Sequence, residues 1–447
     1  MMDLQTLRQN IDTIFIVMLE NRSFDTVLGD RYGIPTITNP SSRDATRKFN
    51  PEKVRDQWID TDLPHGRDRI ATSLEAGMRG FVHAYEDDLK ATADTKYCPP
   101  MWHIDRQDLP ITNFLADNFR VCKRWHASLP CDTFPNRLMA MSGTSLIDDT
   151  SGVNPVSNKW LPDQYTTLEW AADTIKDRPP FHVYVDCHSI PAIGYPSTFY
   201  LMKRLHGLLG GRQSHLANLA NDIAAWKPGS ANVAERPPAI VYCEPFFNDL
   251  AIRIPVVSLH GNCNHAPLPM TFGEDLLARI YSAVTSRPEI WARSLMIVYY
   301  DEHGGFFDHV APPALPTPFA PPVGSKWLWN NPITTLGLRV PAILVSPWSD
   351  PQSTAASSAE DILLDHTSVL QLLVERFGKP SDLALFGQAQ SRSPIVKSVR
   401  EALSPTPRTT PPPVAPPPPP DIPKPSLVGS HEAASVTAAL WAAHLDD

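Results

Sequence analysis

Short apolar runs recur along the chain, separated by polar turns and by longer segments with helical spacing. Runs of this length that are rich in β-branched and aromatic residues predict buried strands. The five predicted strands cover residues 11–19, 180–185, 239–242, 296–300 and 341–346. Strands that alternate with helices indicate an α/β fold with a mostly parallel central sheet flanked by helices.

Apolar positions that repeat every three or four residues predict four helices. Pro110 suits the first turn of the first of them, which covers 109–119. The other three cover 133–142, 273–284 and 365–377. Asp365 opens the last helix, and a capping role is favoured there because aspartate is a preferred N-cap residue.

Acidic and amide side chains follow directly after two of the predicted strands. Glu20 and Asn21 end the first strand, and Asp301 and Glu302 end the fourth. Ligands of open α/β sheets bind just beyond the carboxyl ends of the strands. Two adjacent carboxylates repel each other unless a cation lies between them or they point apart. A metal site and a plain polar turn both explain this pattern.

Three more side chains have a functional and a structural interpretation. Thr133 stands where the N-cap of the helix over 133–142 is expected, and capping alone explains it. A hydroxyl at a helix N-terminus also meets unpaired N–H groups and a positive dipole end, which favour phosphate. Such a threonine could act as a nucleophile if a metal lowers its pKa. His65 and His265 lie in loops, where a lone histidine is more often structural than catalytic.

Composition narrows the class of protein. The 447 residues are 42% hydrophobic and carry a net charge of −9, which argues against nucleic acid as a partner. The N-terminus lacks the pattern of a signal peptide, so a cytoplasmic location is expected, with export by a signal-independent route left open. Six cysteines without a Cys-x-x-Cys pair are expected to be ordinary buried thiols.

Proline dominates the end of the chain. Residues 405–425 include runs of three and five prolines, which predict an extended polyproline II segment, either a spacer or a wrapping arm. Residues 431–445 are rich in alanine and predict a helix. We therefore expect a catalytic domain over 1–403 and a proline-rich linker with a helical tail over 404–447, which could bind a protein partner.

Several blocks of the chain together carry a resemblance to a known family. They span residues 20–25, 64–65, 77–82, 133–137, 264–267, 301–310, 336–348 and 365–368. These blocks occur in the same order as in the bacterial phosphoesterase family that the chain resembles. That family groups phosphatidylcholine-type phospholipases C with an acid phosphatase and belongs to the alkaline phosphatase-like superfamily. The resemblance covers about residues 11–400 and implies an alkaline phosphatase-like fold.

The resemblance also implies a role for each matching residue. The expected ligands of one divalent cation are Glu20, Asn21, Thr133, Asp301 and Glu302. Thr133 falls at the position of the family's nucleophile, and His65 and His265 at those of histidines that contact phosphate and transfer protons. Asn21 and Arg137 are expected to bind the substrate. Asp308 and His309 are supporting candidates.

The implied activity is metal-dependent hydrolysis of a phosphoester through a phosphothreonine intermediate. A phospholipase C-type reaction is favoured, and an acid phosphatase acting on phosphomonoesters is the alternative. The all-oxygen ligands suit Ca²⁺, Mg²⁺ or Mn²⁺. Substrate choice is expected to lie in residues 30–60, 145–215 and 311–335, where Trp327 and Trp329 suggest peripheral membrane contact. A non-catalytic scaffold with a recruiting tail is the remote third hypothesis.

Overall fold

The structure is a computed structural model of the whole chain. It describes residues 1–44, 46–89, 97–149, 160–186, 198–247, 252–254, 257–259, 261–320, 332–351 and 362–422. Trp327, Trp329 and the predicted helix over 431–445 lie outside the described residues.

A seven-stranded sheet forms the centre of the described part of the chain. Its strands are β1 Thr13–Leu19, β2 Arg120–Val121, β3 Phe181–Val185, β4 Gln213–His215, β5 Ile240–Glu244, β6 Ser294–Tyr300 and β7 Ala342–Val345. They are ordered β2-β7-β6-β1-β5-β3-β4, and only β7 runs antiparallel to its neighbours. The α/β class and the five predicted strands are confirmed, and β2 and β4 are short additions at the two edges.

Helices occur before β1, between the strands of the sheet and after β7. They are α1 Leu4–Asn10, α2 Phe24–Tyr32, α3 Arg67–Ser73, α4 Glu75–Met78, α5 Phe81–Asp88, α6 Pro110–Asn118, α7 Thr133–Ser142, α8 Thr167–Thr174, α9 His206–Leu209, α10 Leu219–Ala225, α11 Thr271–Thr285, α12 Pro288–Trp291, α13 Thr367–Phe377 and α14 Gly387–Arg392. Every residue of β1 and β6 is buried, as expected for central strands covered on both faces.

Four pairs of short strands lie outside the central sheet. They are Asn39–Pro40 with Lys48–Phe49, Glu52–Val54 with Trp102–Ile104, Ile252–Ile254 with Val257–Leu259, and Ala314–Phe319 with Ile333–Thr335. Residues 30–60, where substrate choice is expected to lie, therefore contain three short paired strands.

The start of α7 differs from the sequence prediction by one residue. Asp132 occupies the N-cap position, and Thr133 is already the first helical residue. The prediction that Thr133 caps the helix is therefore wrong, and its hydroxyl is available for another partner. Gly143 ends the helix in the left-handed conformation, with φ of +66°. α13 begins at Thr367 with His366 at the N-cap, so the prediction that Asp365 opens and caps this helix is also wrong. Asp365, one residue before the N-cap, still accepts a hydrogen bond from the Thr367 amide at 2.7 Å.

The proline-rich segment over 404–422 lies on the surface of the rest of the protein. Tyr281 of α11 donates a hydrogen bond to the carbonyl of Pro413, and Trp58 donates one to that of Ile422. In these residues the segment is an arm that wraps the protein, whereas the boundary at residue 403 stays a prediction. In the described part of the chain, no helix has the length and apolar character needed to cross a membrane.

Candidate active site at the strand ends

The register of the sheet brings the two acidic strand ends together. Leu19 and Tyr300 are partners in the parallel pair β1–β6, so the residues that follow them leave the sheet side by side. The Asn21 amide donates to Oδ1 of Asp301 at 3.0 Å, and the Glu302 amide donates to the same oxygen at 2.7 Å. The convergence of these segments depends on the strand order, which the sequence alone did not reveal.

Close packing of the two turns requires glycine at one position. Gly304 has φ of +64°, and a Cβ on it would lie 2.1 Å from the carbonyl oxygen of Asn21. Asn21 itself has φ of +55°, a conformation that asparagine tolerates better than most residues. The glycine thus allows the turn after β6 to approach the turn after β1.

Arg137 is the buried cation that joins the acidic groups. From the second turn of α7, its Nε lies 3.1 Å from Oδ2 of Asp301, and its Nη2 lies 3.5 Å from Oε1 of Glu20. Its Nη1 lies 3.8 Å from Oε2 of Glu244, the last residue of β5. Burial disfavours the charged guanidinium, but these carboxylates raise the pKa of Arg137 overall.

The acids outnumber this cation. If Glu20, Glu244, Asp301 and Glu302 are all ionised, one arginine leaves three negative charges. Burial raises the pKa of Asp301, and the neighbouring charges of Glu20 and Glu302 raise it further, against the opposing effect of Arg137. A second positive group, such as a divalent cation, would reverse this electrostatic penalty.

The hydroxyl of Thr133 meets the side chain of Asn21. Thr133 Oγ1 donates to Oδ1 of Asn21 at 3.2 Å, and the threonine is 8% exposed. The N-terminus of α7 therefore faces the end of β1 through this contact.

Both sequence-selected histidines lie against the same asparagine. Nδ2 of Asn21 is 3.3 Å from Nε2 of His65 and 2.7 Å from Nε2 of His265, and the two rings are edge to face with centroids 5.5 Å apart. Oδ1 of Asp62 is 3.2 Å from Nε2 of His265 and 3.8 Å from Nδ1 of His65. Burial favours the neutral ring of His65, but Asp62 and Glu302 raise its pKa to about 9.

Two further histidines support the acidic strand end. Nδ1 of His303 lies 2.9 Å from Oε2 of Glu302, which also accepts from the Gly304 amide at 2.8 Å. Burial lowers the pKa of His366 to about 4. The neutral His366 ring donates from Nε2 to the carbonyl of Asp301 at 2.6 Å while Nδ1 accepts from Trp125 at 3.3 Å. These contacts fix the orientation of Glu302 and of the Asp301 backbone.

The chemistry of the donor set fits a hard cation. Oε1 of Glu302 is buried and has no hydrogen-bond partner among the described residues, and it lies 3.9 Å from Nε2 of His65. The other predicted ligands offer carboxylate, amide and hydroxyl oxygens, which suit Ca²⁺, Mg²⁺ or Mn²⁺. The described groups that bring three potential ligand atoms within 4.8 Å of one another are different ones, namely Asp62 with His65 and His265, and Asp25 with Asp308 and His309.

Asp308 and His309 belong to a separate network. Arg339 donates to Oδ1 of Asp308 at 3.0 Å and to Oδ1 of Asp25 at 3.1 Å, and His309 Nδ1 lies 2.6 Å from the other oxygen of Asp25. A single buried arginine therefore pairs with both acids. The network ties the end of the turn that follows β6 to α2.

Two residues of the site were missed in the sequence. Glu244 ends β5, and the rule that selected Glu20 and Asp301 at strand ends would also have selected it. Asp62 lies three residues before His65 in a stretch without periodicity, so no signal in the sequence distinguished it from a surface acid.

Comparison with known proteins shows the family to which the chain belongs. The model of the Phosphoesterase family matches residues 11–380, and the chain therefore belongs to the Phosphoesterase family, a class of phosphoric ester hydrolases. It is 28% identical to Phospholipase C A of Mycobacterium tuberculosis over 408 residues, which cover 83% of this chain and 74% of that protein. It is 27% identical to Non-specific phospholipase C3 of Arabidopsis thaliana over 368 residues, covering 76% and 64%. A solved protein of the alkaline phosphatase superfamily from Vibrio parahaemolyticus aligns over 77% of this chain and 69% of its own, with 10% identity and a TM-score of 0.29.

Proposed function

We propose that the protein hydrolyses a phosphodiester of the phospholipase C type, with Thr133 as nucleophile and one bound divalent cation. The observation that carries the proposal is the contact between Thr133 Oγ1 and Oδ1 of Asn21 at 3.2 Å, at the point where two acidic strand ends meet. This contact places the hydroxyl beside the residue that follows Glu20, another proposed ligand of the cation.

The cation would be held by Glu20, Asn21, Thr133, Asp301 and Glu302. When bound, it would act as a Lewis acid that favours the ionised threonine and neutralises charge on the phosphoryl group. Arg137 is 2% exposed and pairs with three carboxylates, so we assign it a positioning role in place of the predicted contact with substrate.

The chain's own groups complete the reaction. Thr133 Oγ forms a bond to phosphorus while the bond from phosphorus to the leaving alkoxide breaks, giving a phosphothreonine. His65 or His265 gives its proton to the leaving oxygen, a step worth roughly 10²–10⁴-fold in rate. The same histidine then takes a proton from water, whose oxygen bonds to phosphorus as the bond from phosphorus to Thr133 Oγ breaks. This step releases the phosphorylated product and restores Thr133 for the next turnover. Asp62 lies near both rings and would stabilise their protonated forms.

A phosphodiester with a lipid leaving group is the proposed substrate class. Support comes from the relatives named above, which are phospholipases C. The alternative substrate is a phosphomonoester, because the nucleophile, the cation and the acid would serve both. Assays of phosphatidylcholine and of a phosphomonoester on the same preparation distinguish the two.

Substitution of the nucleophile tests the proposal directly. Thr133→Ala should lose at least ~10³-fold in kcat, since attack by water would have to replace a positioned nucleophile. Thr13→Ala is the matched control, because Thr13 is a buried threonine at the opposite end of β1 whose hydroxyl donates to the Pro238 carbonyl at 2.8 Å. The control should keep its activity. Activity retained by Thr133→Ala, or undiminished after exhaustive removal of divalent cations, would contradict the mechanism.

A further inference from the structure

The proline-rich arm contacts the two loops that carry His65 and His265, at Trp58 and Leu268. We call residues 404–422 the strap, and residues 56–65 and 264–271 the histidine loops. We propose that the strap positions His65 and His265, acting through Trp58 and Ile422. This inference rests on the proposed function and adds to it a positioning role for residues far from the phosphoryl group.

The strap is fixed first at the end of the sheet opposite the site. The amide of Ser404 donates to the Trp348 carbonyl at 2.8 Å, and that of Arg408 donates to the Pro347 carbonyl at 2.8 Å. Both acceptors follow β7, which runs antiparallel to β6. The carboxyl end of β7 therefore lies beside the beginning of β6, away from Asp301.

The strap then follows α11 toward the site. Tyr281, in the later half of α11, donates to the Pro413 carbonyl at 2.6 Å. Ile422 packs against Trp58, Leu268 and Phe272, and Phe272 lies at the first turn of α11. The nine steps between successive residues from Pro413 to Ile422 span roughly 28 Å as polyproline II, enough to pass from one anchor to the other. Between the anchors, the strap and helices α10 and α11 line an open groove of about 800 Å³.

The histidine loops form one unit at the second anchor. The Ile59 amide donates to the Pro267 carbonyl at 3.0 Å. Asp56 accepts from the amides of Met270 and Thr271 at 3.0 and 2.9 Å, at the start of α11. Trp58 donates its indole N–H to the Ile422 carbonyl at 3.0 Å and packs its ring on Phe272. Ile422 of the strap thus completes an apolar cluster to which both histidine loops contribute, Trp58 from one and Leu268 from the other.

The physical reason for a rigid strap is entropic. Proline restricts φ and polyproline II needs no internal hydrogen bonds, so the segment loses little conformational entropy when both ends are fixed. It can therefore stabilise two loops that otherwise have little regular structure. Loosening these loops would displace the proton donors, whereas the proposed cation ligands directly follow β1 and β6 or, like the nucleophile Thr133, begin α7.

The test uses substitutions in the full-length chain. Ile422→Asp places a charge against the apolar cluster of Trp58, Leu268 and Phe272, whereas Trp58→Phe removes the indole N–H and part of the ring but keeps an aromatic side chain. Val414→Asp is the matched control, because Val414 lies in the same strap and is 92% exposed. Hydrogen–deuterium exchange of the histidine loops should rise in Ile422→Asp, rise less in Trp58→Phe and stay unchanged in Val414→Asp.

The catalytic readout compares two leaving groups. A misplaced general acid should slow hydrolysis of an ester whose alkyl alcohol leaves poorly, such as a short-chain phosphatidylcholine. It should have little effect on p-nitrophenyl phosphorylcholine, because p-nitrophenolate leaves without being protonated. In Ile422→Asp, kcat should fall roughly tenfold for the first and less than about twofold for the second, a part of the 10²–10⁴-fold that general acids supply. Global destabilisation would lower both rates equally.

Each outcome decides the proposal. If hydrogen–deuterium exchange of the histidine loops is unchanged in Ile422→Asp, the strap does not hold the loops and the proposal is overturned. If exchange rises but kcat falls equally for both esters, the strap has no role in positioning the general acid. If the unaltered protein hydrolyses neither ester, the proposed function fails, while the exchange measurement still shows whether the strap holds the loops.

Discussion

Substitution of Arg137, the buried arginine between the acidic strand ends, should reveal how the negative charges there are compensated. Arg137→Met keeps most of the side-chain volume but takes away the charge that contacts Asp301, Glu20 and Glu244. Only the 3.1 Å contact with Asp301 is hydrogen-bonded, and the contacts at 3.5 and 3.8 Å are longer ion pairs. Breaking one buried pair from one side typically costs ~3–5 kcal/mol, because it leaves an uncompensated buried charge. We expect a loss of that size, a large fraction of the ~5–15 kcal/mol stability of a typical protein.

A divalent cation should offset part of this loss. A cation at a hundred times its Kd stabilises a folded protein by about 2.7 kcal/mol. Without Arg137 beside it, a cation at the strand ends meets more net negative charge and should bind more tightly, and each tenfold adds about 1.4 kcal/mol. The midpoint of thermal unfolding should therefore rise more on addition of Mg²⁺, Ca²⁺ or Mn²⁺ in Arg137→Met than in the unaltered protein.

Another buried arginine offers a matched control. Arg392 is 1% exposed and its Nη1 lies 2.7 Å from Oδ2 of Asp365, outside the acidic strand ends. Arg392→Met should lose a similar free energy of unfolding but gain no extra stabilisation from the cations. Thermal and urea unfolding of the three proteins, with chelator and with each cation, measure both quantities. A cost below about 1 kcal/mol for Arg137→Met, or equal cation effects in all three, would refute the electrostatic account.

Two further predictions concern backbone packing and pH. Gly304→Ala should cost roughly 1–2 kcal/mol for the left-handed conformation alone, and more for a Cβ placed 2.1 Å from the Asn21 carbonyl. Gly207→Ala, which meets nothing within 4 Å, should leave the unfolding free energy within about 1 kcal/mol of the original. Burial raises the pKa of Glu274 from 4.5 to about 7 against hydrogen bonds from Ile111 and Thr112. Because the folded state then holds the proton more tightly, its contribution to stability is greatest below pH 4.5 and is lost as the pH rises through about 7. Glu274→Gln should flatten this part of the pH profile of unfolding, and an unchanged slope would assign it to other groups.

Much of the fold could be predicted from local patterns. After their first residues, Thr13 and Ser294, the runs that form β1 and β6 are hydrophobic because both faces of a central strand are covered, so hydrophobicity alone located them. Pro110 marked the start of a helix because its backbone preference is local. Thr133 was misjudged by one residue, since an N-cap and a first helical residue differ only in a backbone angle that the sequence does not specify.

The chain's own sequence determined the types of donor at the strand ends and the class of chemistry that carboxylate, amide and hydroxyl oxygens can support. Only the tertiary structure decided that Asn21 contacts both Thr133 and Asp301. It also decided that Arg137 pairs with the buried carboxylates and that Asp62 lies beside two histidines. The physical reason is that strand order and loop packing are set by burial between segments hundreds of residues apart, and no local pattern records which of those segments become neighbours.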